Sequence, residues 1–473
     1  MKISILSSDL SHNCLGRAYL LAKILQRHYK VEIVGPDMGE GIWQPVINDT
    51  SIDYKSVHID GGFDPCIHID ELIQNIDGDV IYASKPLYTS FGVGMLIKLI
   101  QDKPLILDID DWELGFKIKN YENLNIFGSA RAFVSFFLFR YGMGRYWNSL
   151  FEENLVSLSK GITVPGKLLN NRFKWVENID KFSIVNDIFG GKTGFAKKRN
   201  ITLSRSGRVF ISSRLFRYGM RSYWNILLME KLAVFADEIT VSNRFLKNKF
   251  GGTIIYHGRD VEAFNPDKFC NDSLREKYGI ETSCKIVLFV GSPKSHKGID
   301  DLIKAVSLIN DKNILLVVVG MDDKSKYCKQ LSETAKGIIN GRFKEFGLQP
   351  FDKIPEFLAM ADVVVIPQRK NLSTMGQMPA KVFDAMAMAK PIIVSDVCDL
   401  SEIIDGCGWV VPPGSPGELA VRIRYVLNHP DEAEEMGNRA RRKCMERYSW
   451  NAIEEICLKL FRNYEKEPNE YQK

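Results

Sequence analysis

The chain has 473 residues, too long for one ordinary hydrophobic core, so two domains are expected. Its 45% apolar and 26% charged residues exclude a disordered or disulfide-stapled chain, and a net charge of +5 over this length is no signature of nucleic-acid binding. Nine cysteines without a C-x-x-C pair suggest reduced thiols in a cytoplasmic protein, and no apolar run approaches the roughly 18 residues that span a bilayer.

Ile3–Leu6 reads as a first strand, ending at a polar loop with Gly16 just beyond it. Leu20, Leu21, Ile24 and Leu25 then repeat at helical spacing, and Val31–Val34 is a second strand. This is the β-loop-α-β unit of a doubly wound sheet. It lacks the G-x-G-x-x-G fingerprint, which argues against a tight dinucleotide site. Val80–Ala83 and Pro104–Leu107 continue the sheet. The second of these ends in Asp108, Asp110, Asp111 and Glu113, at the strand end where open α/β sheets bind ligands. Asp110 and Asp111 either face a substrate or cap the next helix, and four acids in six positions favour the substrate. Further ligands for a metal are missing nearby.

Residues 129–173 repeat at 206–250, a constant 77 positions on. Leu138-Phe-Arg-Tyr-Gly-Met143 matches Leu215-Phe-Arg-Tyr-Gly-Met220, and Tyr146-Trp-Asn148 matches Tyr223-Trp-Asn225. Two copies are too few for a solenoid, so a partial duplication is expected, with an insertion at about 129–205. The insertion is basic and aromatic. It suits either a core helix rimmed by arginine or peripheral contact with an anionic membrane, and the core reading is preferred.

A boundary is expected near Asn265-Pro266, dividing an N-terminal domain (1–265) from a C-terminal one (266–445), with a last helix (446–473) crossing back. Ile286–Val290 is a wholly apolar strand, followed by Gly291-Ser-Pro-Lys-Ser-His-Lys-Gly298 and a helix. Two glycines and two lysines, Lys294 and Lys297, between a parallel strand and a helix make an anion cradle. A comparable unit spans Thr374–Asp396. Gly376, Gln377 and Met378 form a loop, and Pro379 opens a helix through Ala389 with Lys381 in its first turn and Asp384 behind it. Lysines here suit a diphosphate whose charge grows as a sugar–phosphate bond breaks. No carboxylate pair announces a hydrolase.

These pieces resemble the family 4 glycosyltransferases of the GT-B fold over nearly the whole chain. The resemblance rests on the Gly16 loop, Pro104–Asp111, Ile239-Thr-Val-Ser-Asn243, His257-Gly-Arg-Asp260, Gly291 to Gly298, Ile354–Pro367, and Pro379-Ala-Lys381 to Lys390-Pro391. It implies an α/β architecture of two Rossmann-like domains facing a central cleft. It also implies retaining transfer from a nucleotide-sugar donor to an acceptor, in envelope, polysaccharide or glycoconjugate synthesis, with neither metal nor cofactor. Asp110 and Lys297 would be catalytic. Gly291, Ser292, Lys294, Gly298, Gly376, Gln377, Met378, Pro379, Lys381 and Asp384 would meet the donor, with Gly16 and Asp111 on the acceptor side. By the resemblance Asp384 holds the ribose. The preceding acid of the E-x7-E signature falls on Gly376, the usual arginine on Ser292, and the usual histidine on Asp110. A weakened scaffold protein or a nucleotide-sugar epimerase are the competing readings.

Overall fold

The computed structural model describes residues 1–59, 65–122, 223–309 and 311–465. The expected insertion at 129–205, its duplicated aromatics and its membrane reading lie outside the described residues. The first sheet contains β1 (Lys2–Leu6), β2 (Lys30–Asp37), β3 (Asp53–His58), β4 (Val80–Ser84), β5 (Leu105–Ile109), β6 (Glu238–Val241) and β7 (Thr253–Ile254). The second contains β8 (Lys285–Val290), β9 (Ile314–Met321), β10 (Phe343–Gly347), β11 (Val363–Ile366), β12 (Ile392–Ser395) and β13 (Trp409–Val411). Both are parallel throughout, in the orders β3-β2-β1-β4-β5-β6-β7 and β10-β9-β8-β11-β12-β13.

Parallel strands covered by helices on both faces must be apolar on both faces. Ile286, Val287, Leu288, Phe289 and Val290 of β8 are all buried, as are Leu105, Ile106, Leu107 and Ile109 of β5. Each sheet divides two apolar clusters. Val287 and Phe289 join one cluster while Ile286, Leu288 and Val290 join the other. The strand orders reverse between β1 and β4 in the first sheet and between β8 and β11 in the second. Ligands of open α/β sheets bind at such reversals, beyond the carboxyl ends of the strands.

The chain passes between the lobes twice, after β7 and again before the helix Trp450–Arg462. The two passes are joined: Arg259 N–H donates to Tyr448 O at 2.9 Å, and Trp450 N–H donates to Arg259 O at 2.8 Å. Ser449 caps the last helix through Ala452 N–H. That helix buries Ile453, Cys457, Leu460 and Phe461 in the first lobe, with Phe461 edge-on to Tyr82 at 5.7 Å. β7 is only two residues long, Thr253–Ile254, because the chain leaves the sheet there to cross lobes. The helix expected through Ala389 spans only Lys381–Ala387, and Ala389 takes a left-handed φ of +52°.

Candidate active site

Three loops of the second lobe converge at its strand reversal. The loop after β8 begins at Gly291, whose φ of +114° suits glycine. It closes at Gly298, φ +68°, where a Cβ would stand 1.9 Å from Pro367 O. Glycine is therefore required there both by backbone conformation and by close approach. Arg369, after β11, buttresses the loop: its N–H donates to His296 O at 2.9 Å, and its guanidinium grips Asp301 through two bonds of 2.7 Å and also pairs with Asp300.

On this frame Lys297 and Lys381 come together. Lys297 Nζ donates to Ser292 O at 3.0 Å. Lys381 Nζ lies 3.8 Å from the centre of the Phe289 ring, and a Cβ on Gly291 would meet it at 2.9 Å. Neither ammonium has a carboxylate within ion-pair reach among the described residues. Burial, with Lys294 adding repulsion and Asp111 opposing it, lowers Lys297 to about 8. Burial and the charge of Lys297 hold Lys381 well below the ordinary lysine range. Lys294 is exposed at the loop's rim. The helix at 381 is only two turns long, so side-chain charge outweighs its dipole in attracting an anion.

The opposing wall comes from the ends of β4 and β5. Lys85 Nζ sits 2.8 Å from Asp110, 2.6 Å from Asp111 and 3.1 Å from Glu113. Burial, partly offset by Lys85, pushes Asp110 up to about 7. Asp111 reaches the other lobe, its Oδ1 accepting from Gln377 Nε2 at 3.2 Å. Trp112 N–H donates to Gly376 O at 3.1 Å, and Phe116 lies edge-on to His296 at 5.7 Å. The lobes thus touch through the 376–377 loop and the start of the helix Glu113–Glu122.

Met378 turns its side chain into the core of the second lobe, and Pro379 is buried beside it. Asp384 is engaged by Arg259, a 2% exposed arginine that also donates to Ala380 O at 3.2 Å and Gly258 O at 2.9 Å. The carboxylate expected to hold a ribose is therefore one half of a buried ion pair. Gly16 lies in the first turn of the helix Leu15–Leu25 against the Trp43 ring, which a Cβ would meet at 3.3 Å. Next to it Arg17 forks onto Asp108 through bonds of 3.0 and 2.9 Å and donates to Ile255 O at 2.9 Å, fastening the first sheet to the lobe crossing. Pattern reading missed Lys85, Arg259, Arg369 and Trp112. Their partners lie tens to hundreds of positions away, and the only local signal was Lys85 standing directly after a strand.

No group of three or more His, Cys, Asp or Glu is placed to hold a metal among the described residues, and no helix there is long and apolar enough to cross a membrane. Residues 271–443 match the family model described as glycosyl transferases group 1. An uncharacterized glycosyltransferase of Methanocaldococcus jannaschii is 30% identical over 222 residues, 44% of this chain and 53% of that one. The alpha-maltose-1-phosphate synthase of Mycolicibacterium smegmatis is 26% identical over 221 residues, 44% and 56% of the two chains. The chain thus spans about half the length of the curated relatives it matches. Among solved structures, Anabaena HepE in complex with UDP and glucose superposes with a TM-score of 0.63 at 15% identity, covering 98% of this chain and 99% of that one. Sucrose-phosphate synthase from Thermosynechococcus elongatus gives 0.60 at 15% identity, covering 98% of each. The likeness extends over both lobes and is one of fold. Residues 271–443 are thus similar to the glycosyl transferases group 1 family, and the fold of the chain is GT-B.

Proposed function

We propose that the protein is a retaining, family 4-type glycosyltransferase that moves a sugar from a nucleotide-sugar donor to an acceptor hydroxyl. The observation that carries this reading is the pair Lys297 and Lys381, held side by side at the Gly291 loop without a carboxylate partner among the described residues. Holding two half-buried ammonium groups near one another is unfavourable unless an anion joins them. A diphosphate supplies that anion, and its charge increases as the sugar leaves, so the same contacts stabilise the transition state more than the ground state. The acceptor hydroxyl oxygen forms the new bond to the anomeric carbon as the carbon–oxygen bond to the diphosphate breaks. The diphosphate keeps the electron pair and receives the hydroxyl proton. Asp110 and Asp111, across the cleft, are suited to accept hydrogen bonds from sugar or acceptor hydroxyls. We place the donor in the second lobe, with Lys294, Lys297 and Lys381 on its phosphates, and the acceptor against the first.

The experiment is a screen of UDP-, GDP- and ADP-glucose and their N-acetyl and uronate forms for nucleoside diphosphate release, with Lys297→Ala alongside. Turnover of one donor, falling about 10²-fold or more in Lys297→Ala, is expected. Equal turnover in the variant would remove Lys297 from the mechanism. A donor returned as its epimer, with no acceptor consumed, would replace transfer by epimerisation.

A further inference from the structure

Lys85 stands where β4 ends, at the strand reversal of the first sheet, and its backbone is in an unfavourable state. Its φ is +73°, a region few non-glycine residues take. The next residue is Pro86, which further restricts its predecessor toward extended conformations. Neighbours hold it there: its N–H donates to Asp108 O at 2.7 Å, and its carbonyl accepts from Leu87 N–H at 2.8 Å and from Ser90 Oγ at 2.9 Å. Strain kept in place by its surroundings is found where a side chain must be aimed.

What the strain aims is one ammonium at three acids. Three carboxylates lie within ion-pair distance of Lys85 Nζ, Asp110, Asp111 and Glu113, with Asp111 accepting a hydrogen bond from it, and the side chain is almost fully buried. A stabilising ion pair needs one partner. Two further carboxylates are surplus charge in a buried place, which costs stability. Asp111 also holds Gln377 of the other lobe and faces Lys297, so Lys85 is the fixed point from which the acids meet the diphosphate lysines.

We infer that Lys85 is a positioning residue, which keeps Asp110 charged and pointed at a substrate hydroxyl and Asp111 in register with Gln377. This rests on the transferase reading above. The charged and titratable groups facing Asp110 are Lys85, Asp108, Asp111 and Arg17, and those facing Lys85 are Asp110, Asp111, Glu113 and His257. Burial and the cations Arg17, Arg259 and Lys85 hold His257 in its neutral form, so it does not replace the lysine charge. Without Lys85, three carboxylates share one pocket, and Asp110 takes a proton at higher pH.

The test is kcat against pH for wild type, Lys85→Met and Lys85→Arg, using whichever sugar nucleotide the wild type turns over, with calorimetry of inorganic pyrophosphate binding. In Lys85→Met, kcat should fall about tenfold or more and the acid limb of the profile should move up by about one pH unit or more. Pyrophosphate binding at Lys297 and Lys381 should stay within about twofold of wild type, which also shows that the second lobe is folded. Lys85→Arg should bring the acid limb back, since the charge returns even where the geometry is imperfect. An active wild type whose Lys85→Met variant keeps its kcat and its acid limb overturns the role of Lys85 alone. Should Lys85→Met fail to fold, an acid limb in Lys85→Arg displaced as far as that of Asp110→Glu overturns it equally. A wild type that neither binds pyrophosphate nor turns over a sugar nucleotide overturns the transferase reading, and this inference with it.

Discussion

Trp112 and Gly376 meet across the cleft: the tryptophan N–H donates to the glycine carbonyl at 3.1 Å, and a Cβ at position 376 would stand 2.3 Å from Trp112 Cβ. The atoms it would strike are backbone and Cβ, which cannot swing aside. With the lobes in this arrangement no side chain fits at 376, which accounts for the missing first acid of the E-x7-E pattern. Gly376→Ala should therefore part the lobes locally, lowering kcat about tenfold while leaving pyrophosphate affinity nearly unchanged. Small-angle scattering should show a larger radius of gyration. A variant with wild-type kcat would mean that this contact is absent during turnover.

On the proposed reading, Lys297 gives diphosphate binding a pH signature. Its ammonium is lowered to about 8 by burial, so in the free protein the charge is lost as pH rises through 8. A bound diphosphate favours the charged form and raises that value again. Above about pH 8 binding must then take up a proton, and affinity should weaken with rising pH. Calorimetry of pyrophosphate at pH 8.5 in buffers of different ionisation enthalpy, run on wild type and Lys297→Met so that the ligand's own proton release cancels, isolates the uptake by Lys297. The same dependence on buffer in both proteins would show that Lys297 does not titrate with binding. In Lys297→Met the remaining uptake should shrink, with any residue belonging to Lys381.

The parts legible in the sequence were those whose physics is local. An apolar five-residue run followed by glycines and lysines marks β8 and its loop wherever the chain goes afterwards. The acids after β5 were visible for the same reason. What stayed hidden was pairing at a distance. Asp384 has the same neighbours in sequence whether it faces a ribose or Arg259, 125 positions earlier. Met378 reads as part of a loop, yet its side chain belongs to the core, because the loop is folded tightly against that lobe. Lys85 has no acid beside it in sequence, since its three acids come from the next strand's end.

Arg259 and Asp384 form a pair whose two halves should not be equally removable. Arg259 lies at the crossing between lobes and is almost wholly buried, and Asp384 is buried with it. Arg259→Met leaves a carboxylate without its partner and should cost about 3–5 kcal/mol in chemical denaturation. Adding Asp384→Leu removes the orphaned charge and should recover a large part of that loss. Additive effects of the two substitutions would show that they do not interact.

Asp110 should exchange stability for function. Its carboxyl is raised to about 7, mainly by burial, so above that pH the folded protein holds a charge that the unfolded chain would carry at less cost. The sign follows from proton counting. Between about pH 4 and 7 the folded form binds more protons at this site than the unfolded form, so its contribution to stability falls as pH rises across that window and stays low above it. Asp110→Asn removes the penalty, while Lys85 keeps Asp111 and Glu113 as partners. The variant should melt above wild type at pH 8, by roughly 1 °C per kcal/mol for a chain of this length. The gain should nearly vanish at pH 4, where the folded wild type carries a proton and the unfolded chain carries one about half the time. Its kcat should fall on the order of tenfold or more, since a neutral amide cannot take the place of a charged acceptor facing a substrate hydroxyl. Thermal unfolding at pH 4, 6 and 8 beside steady-state turnover decides it. A variant less stable than wild type at pH 8 would show that the Lys85 contact outweighs the burial of Asp110.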